Sequence, residues 1–410
     1  MTSRTRIRAA ALIDGTGAFE GSPADIVIDE GRIVSVSVPG PTPPSPGEEF
    51  LEIRQGTVLP GLVDVHAHFT LGTGSRTYEA VMAEDSDELM VTRGVANLAT
   101  HLKSGVTTAR DCGARGNTAI DLREIANAES FPGPRLLVSG PPLTKPRGHF
   151  WFCGGEADGV DGVEARVKQL IEAGVDFLKI MASGGGTVGT DQTESSFSVE
   201  ELSAAVRTAH SNGLLVAAHC LSASSVESAL QAGVDQLEHL NFIQTDGSRR
   251  MDDRIAEKVT AAGVYLSPTI QTGYRRMEEL RAKSRLEPSE KAELAGLEGK
   301  LESKLSFITR LHALGAKIVL GTDAIPTMGD YALGLELLVR AGMSPSAAID
   351  SATRLAAEAI GLGDEVGTVS AGKSADLLVV DGDPLGDITK AGAVSMVVRQ
   401  GRIVHRASRA

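Results

Sequence analysis

Apolar and polar positions change rhythm twice along the 410-residue chain. Near the start, RIRAAALIDGTG and ADIVIDEGRIVSV alternate apolar with polar residues around Gly-containing turns, the pattern of short, half-exposed antiparallel strands. Residues 39–49, PGPTPPSPGEE, are proline-rich and polar and read as a loop. The closing segments GTVSAGKSADLLVVDGD and AVSMVVRQGRIVH return to short strands. Together the ends predict one small β-sandwich domain, residues 1–56 and 361–410, with residues 57–360 inserted between them.

In that middle, eight apolar β-rich runs alternate with helical stretches: TVLPGLVDVHAHF, TTARDCG, RLLVSGPPL, DFLKIMASGG, LLVAAHC, QLEHLNF, YLSPTIQ and KIVLGTDA. The intervening VEARVKQLIEAG, EELSAAVRTAHSNG and SVESALQAG are amphipathic, each closing on a glycine suited to a helix C-terminus. Eight strands with helical returns predict an α/β fold, a (β/α)8 TIM barrel. An open doubly wound sheet is the alternative, but no G-x-G-x-x-G follows the first strand. Residues 275–315 are charged and helical with Pro288 interrupting them, and read as an excursion before the last strand.

Composition adds exclusions. A 42% hydrophobic and 23% charged chain can bury a large core. A net charge of −13 argues against nucleic acid or an anionic membrane as partner. Cys112, Cys153 and Cys220 form no CxxC pair, so neither a disulfide framework nor a thiolate zinc site is suggested. AAALI near the start is too short for a signal segment and no apolar run reaches membrane-spanning length, so a cytoplasmic protein is expected.

The polar residues set on these strands carry the chemistry. His66 and His68 end the first strand, Lys179 lies in the fourth, His219 ends the fifth, His239 lies in the sixth and Asp323 ends the eighth. Strand C-termini of a barrel converge on one face, so these six would share a pocket. Alternation along a strand points His66 and His68 the same way, able to chelate one cation, though a structural pair of histidines has the same spacing. His219 and His239 follow apolar runs where a bare imidazole is unexpected. Asp323 alone could equally cap the next helix. Lys179 places an amine in a strand buried on both faces. It must pair with a carboxylate such as Asp176 or Asp323, or lose its charge, for instance by taking up CO2 as a carbamate able to bridge two cations. Gly184 to Gly186 would then allow close backbone approach.

In this order, with the phrases LPGLVDVHAH, DFLKIMASGGG, VAAH, LEH, ALGAKIVLGTDA and GTVSAGKSADLLVVDGDPL, the chain resembles the metal-dependent amidohydrolase superfamily over almost its whole length. The branch it looks like contains Xaa-Pro dipeptidases and N-acyl amino-acid hydrolases. The resemblance implies two divalent metal ions, with Zn2+ as the default. His66, His68 and Asp323 would hold one, His219 and His239 the other, and a CO2-derived carbamate on Lys179 would bridge them. It further implies a metal-bridging hydroxide that attacks the carbonyl of a small-molecule amide, a dipeptide or N-acyl amino acid with a free carboxylate. Asp323 would act as general base and then acid. A homo-oligomer is also implied.

Mononuclear deaminases and cyclic-amide hydrolases of the superfamily carry a Glu three positions after the fifth-strand histidine, where this chain has Ser222. The branch's frequent second histidine is replaced by Leu221, which bears on substrate choice. Hydrolysis of another amide, carbamate, urea or mycotoxin-type substrate, or an inactive barrel serving as a binding module, are the other readings. His149, in KPRGHFWFCGG, is a candidate for bonding a substrate carboxylate or carbonyl, and Tyr274 for donating to the carbonyl oxygen. Phe150 and Trp151 could line an apolar pocket. Arg147, Arg275 and Arg276 could clamp a carboxylate but read better as solvated surface residues. His101, His210, His312 and His405 read as structural.

Overall fold

The computed structural model describes residues 4–41, 47–72, 76–128, 131, 133–324 and 328–407. Residues 42–46 of the proline-rich loop lie outside them. Strands β1 (Thr5–Ile13), β2 (Glu20–Asp29), β3 (Arg32–Ser37), β4 (Glu49–Ile53) and β5 (Thr57–Pro60) come from one end of the chain. The central strands are β6 (Leu62–Ala67), β7 (Val106–Asp111), β8 (Arg135–Val138), β9 (Leu178–Met181), β10 (Val216–Ser222), β11 (Gln236–Ile243), β12 (Tyr265–Ser267) and β13 (Lys317–Ile318). From the other end come β14 (Leu377–Val380), β15 (Val394–Arg399) and β16 (Arg402–Arg406).

The two ends of the chain share one eight-stranded sheet, ordered β16-β15-β14-β5-β1-β2-β3 with β4 on β1. Antiparallel pairing of β5 with β14, Leu59 opposite Leu378, joins the N-terminal strands to the C-terminal ones. Ile7, Leu12, Ile26, Ile33, Leu377 and Val398 make a core cluster of its own beneath this sheet.

The eight central strands run parallel in two sheets, β6-β7-β8 and β13-β12-β11-β10-β9. Among the described residues the two seams carry single parallel bridges, Leu143 with Ile180 and Ala67 with Ala324, so no continuous ladder runs around the eight strands. Every residue of β6, β7, β9, β10 and β11 is buried, which explains why they read as apolar runs rather than alternations. The expected helix-ending glycines Gly174, Gly213 and Gly233 all take positive φ, which glycine adopts without a Cβ penalty. The 275–315 excursion is two helices, Tyr274–Ala282 and Pro288–Ala313, with Pro288 in the first turn of the second, where its missing N–H has no helical partner to lose.

Cys112, Cys153 and Cys220 are buried and unpaired, and burial raises the Cys112 and Cys220 thiols to about 12. No helix among the described residues is long and apolar enough to cross a membrane.

Candidate metal centre and active site

All six converging residues line one cavity of about 230 Å³: His66, His68, Lys179, His219, His239 and Asp323. Asp323 Oδ1 lies 3.5 Å from His66 Nε2 and 3.4 Å from His68 Nε2, and these three donors sit within 4.8 Å of one another. The His219 and His239 rings are 4.4 Å apart, and His239 is 5.0 Å from His66.

The protons on these imidazoles follow from what they face. His66 Nδ1 is 2.7 Å from Glu238 Oε2, His68 Nδ1 is 3.0 Å from the Gly113 carbonyl, and His219 Nε2 is 3.0 Å from the Gly184 carbonyl. Burial alone would raise the Glu238 carboxyl, but His66, Lys179 and Arg110 carry it down to about 2, so it stays an acceptor. Each of these acceptors requires the proton on the ring nitrogen that faces it. The lone pairs of His66 Nε2, His68 Nε2 and His219 Nδ1 are therefore free for a cation. His239 Nδ1 meets Thr269 Oγ1 at 2.9 Å, leaving Nε2. Burial, first among the causes, holds His66, His219 and His239 below the ordinary imidazole range. Burial would raise the Asp323 carboxyl, yet the His68 and His66 side chains it faces and the Lys179 amine beyond them hold it well below the usual carboxylate range. Neutral imidazoles around an ionised carboxylate are a donor set that fits divalent cations.

Lys179 is 1% exposed, and the pairing with Asp176 allowed by the sequence does not form. Asp176 instead accepts from Arg123 Nη1 at 2.9 Å and the Val138 N–H at 2.8 Å. Among the described residues the polar contact of Lys179 Nζ is His66 Nε2 at 3.5 Å, which leaves most of its hydrogen-bonding capacity unmet in a buried place.

The supporting shell explains why the backbone bends here. His239, Thr269 and Asp323 all have positive φ, a strained conformation for these residues that surrounding contacts must hold. Asp64 Oδ1 accepts from both the His66 and the Thr322 N–H at 3.0 Å, and Asp64 Oδ2 lies 2.8 Å from His101 Nε2, clamping β6 to the segment carrying Asp323. His101 is thus structural, as expected. Lys304 donates to the Pro268 and Thr269 carbonyls at 2.6 and 2.9 Å and supports the Thr269 that meets His239.

His149 also lines the cavity, its ring 4.6 Å from that of His219. A Cβ on Gly185 would come within 2.4 Å of the His149 ring, so the glycine run permits close approach to a side chain. Tyr274 does not line this cavity. It sits at the start of the helix Tyr274–Ala282, on a small void whose other walls include Lys300 and Lys304. The tyrosine in the cavity wall is Tyr78, its hydroxyl pushed up to about 12 by burial and then by Asp323. Phe150 lines the cavity, whereas Trp151 is 38% exposed. Ser222 caps the helix Ala223–Ala232 through the Ser225 N–H, occupied in structure where deaminases carry an acid. Leu221 forms part of the cavity wall.

Sequence reasoning missed Glu238, Arg110 and Thr187. Glu238, inside a strand read as buried and one residue before His239, was the available signal. Its Oε1 accepts from Arg110 Nη2 at 3.0 Å and Gln236 Nε2 at 2.8 Å.

Parallel strands interleaved with helices gather imidazoles and a carboxylate at their ends, a donor set of the kind hydrolases use to hold divalent cations. Residues 57–404 match the amidohydrolase family, and the chain belongs to it: it is a hydrolase acting on C–N bonds. It is similar to a solved Xaa-Pro dipeptidase with bound methionine in its active site, 29% identical, covering 99% of this chain and 100% of that one with a TM-score of 0.86. A prolidase solved in complex with N-methylphosphonate-L-proline is 26% identical over 99% of this chain and 100% of its own, TM-score 0.84. Ochratoxinase of Aspergillus niger is 28% identical over 425 residues, 94% of this chain and 82% of its own.

Proposed function

We propose that the chain is a binuclear metal-dependent amidohydrolase that cleaves an amide bond in a dipeptide or N-acyl amino acid. The reading takes the eight central strands as a (β/α)8 barrel over residues 57–360, and residues 1–56 and 361–410 as a small β-sandwich domain. The observation that carries it is the meeting of six potential ligands in one cavity, with the protons of three imidazoles directed away from it. The dipeptidase and prolidase among the relatives support the substrate class.

His66, His68 and Asp323 would hold one cation, His219 and His239 the other, and Lys179, carboxylated by CO2, would bridge both, a role that suits a buried amine with so little else to bond. Divalent ions, zinc by default, would supply Lewis acidity and a more acidic water. Asp323, ionised and at the cavity floor, would accept a proton from that water and deliver it to the leaving amine. His149 is held at about 3 by burial, so its imidazole is neutral. Thr187 Oγ1 accepts from the Phe150 N–H at 3.2 Å and lies 2.8 Å from His149 Nδ1, to which its own hydrogen would turn in this reading. That leaves His149 Nε2–H as a donor for a substrate oxygen. Tyr78, protonated throughout the neutral range, replaces Tyr274 in this reading as the phenol nearest the substrate.

A second reading, a bulkier amide of the mycotoxin type, is favoured by the apolar wall of Tyr78, Phe150, Met181 and Leu221 and by the ochratoxinase relative. A library of dipeptides, N-acyl amino acids and ochratoxin, assayed with zinc-loaded protein, separates the two. Asp323→Asn should retain most bound metal by elemental analysis while turnover falls about 10²–10⁴-fold. An unimpaired rate would remove the proton-carrying role of Asp323.

A further inference from the structure

The cavity wall holds more positive charge than its floor uses. Besides Lys179, three cations line it: Arg249 from the segment after β11, and Lys300 and Lys304 from the helix Pro288–Ala313. Lys304 is fully engaged with the Pro268 and Thr269 oxygens. Lys300 and Arg249, by contrast, make no hydrogen bond or ion pair through their side chains among the described residues. Of the arginines the sequence offered as clamps, Arg147 is exposed and does not line the cavity, and the other two are committed elsewhere. Arg275 bonds Asp330 at 2.6 and 2.8 Å, and Arg276 bonds Glu293 at 2.9 and 3.0 Å.

Lys300 is half-buried and Arg249 exposed at the cavity edge; burial disfavours the Lys300 ammonium, Asp323 favours it, and the charge of Arg249 disfavours it again. The carboxylate in the cavity wall is Asp323, which His66 and His68 already engage. Asp323 is thus the anion these two cations share with the floor, and both keep hydrogen-bonding capacity turned to the cavity that no protein group uses among the described residues. An anionic group on the ligand would meet both cations at once. A planar carboxylate suits a guanidinium fork and an adjacent ammonium.

We propose that Arg249 and Lys300 form the subsite that grips the α-carboxylate of the amino acid released by the reaction, so that a free carboxylate is required for binding. The inference rests on the amide-hydrolase reading for which part of the substrate lies there. It also orients the substrate: the carboxylate at Arg249 and Lys300, the scissile amide over Asp323, and apolar groups against Phe150 and Leu221.

The test is binding of L-phenylalanine and of 2-phenylethylamine, which lacks the carboxylate, to zinc-loaded wild-type, Arg249→Met and Lys300→Met proteins by calorimetry. Wild type should prefer the amino acid at least tenfold. Each substitution should weaken amino-acid binding by roughly tenfold, as expected for a charge-assisted hydrogen bond, and leave the amine unchanged. Arg249→Lys and Lys300→Arg should recover part of the loss. In hydrolysis of N-acetyl-L-phenylalanine the same substitutions should raise KM more than they lower kcat. Equal affinity of wild type for the two ligands, or no change in either variant, overturns the subsite. Preference for the carboxylate without hydrolysis of any amide would keep the subsite and remove the amidase reading; hydrolysis without preference would do the reverse.

Discussion

The floor and the mouth of the cavity are built on opposite plans. On the floor every imidazole has a second partner: Glu238 for His66, Gly113 for His68, Gly184 for His219, Thr269 for His239. At the mouth, Arg249 and Lys300 line the wall with no partner of their own among the described residues. Groups that must hold one geometry through many turnovers are over-determined by hydrogen bonds, whereas groups that must exchange ligands are left with bonding capacity to spare.

The largest break in that contrast comes from removing the group that would join the two metals. Lys179→Ala should lose bound metal and lower activity by at least about 10³-fold, and short carboxylic acids supplied in solution should restore part of both. Normal metal content with full activity would refute the carbamate. Next is Glu238→Gln, which keeps the shape but removes the anion that holds the proton on His66 Nδ1. It should weaken metal binding by about 10–100-fold in a competitive chelator titration. Unchanged affinity would reduce Glu238 to a packing residue. The smallest effect tests the bridge between floor and mouth. Thr187→Val should lower kcat/KM by about tenfold through loss of the His149 tautomer, with Thr187→Ser recovering it. A serine variant no better than valine would mean that the methyl group, not the hydroxyl, is what matters.

Much of the floor was legible because strand ends, residue type and spacing coincide: His66 and His68 in a strand terminus, Lys179 in an apolar run, Asp323 after KIVLGT. Lys179 was the most telling, since an amine in a doubly buried strand has few outcomes. Tyr274 was chosen because it follows the seventh strand closely. The helix Pro288–Ala313 sets Lys300 and Lys304 on the void beside it, a packing relation with no sequence signal. Tyr78 opens the short helix Tyr78–Glu84 that follows β6, and no motif around it marks it in the sequence. Glu238 stands within LEH beside the more conspicuous His239, and only its 2.7 Å contact with His66, 172 residues away, reveals its role.

By itself, then, the sequence determined the alternation of buried strands with capped helices, the joining of both ends into short strands, and the identity of the imidazole, amine and carboxylate side chains that gather in the cavity. Those are properties of local periodicity and residue chemistry. The tertiary structure alone decided where the two parallel sheets meet, which nitrogen of each histidine carries the proton, and which cations keep hydrogen-bonding capacity that no protein group uses among the described residues. Each of these depends on what lies across a gap between residues distant in the chain, and a linear pattern holds no record of that distance.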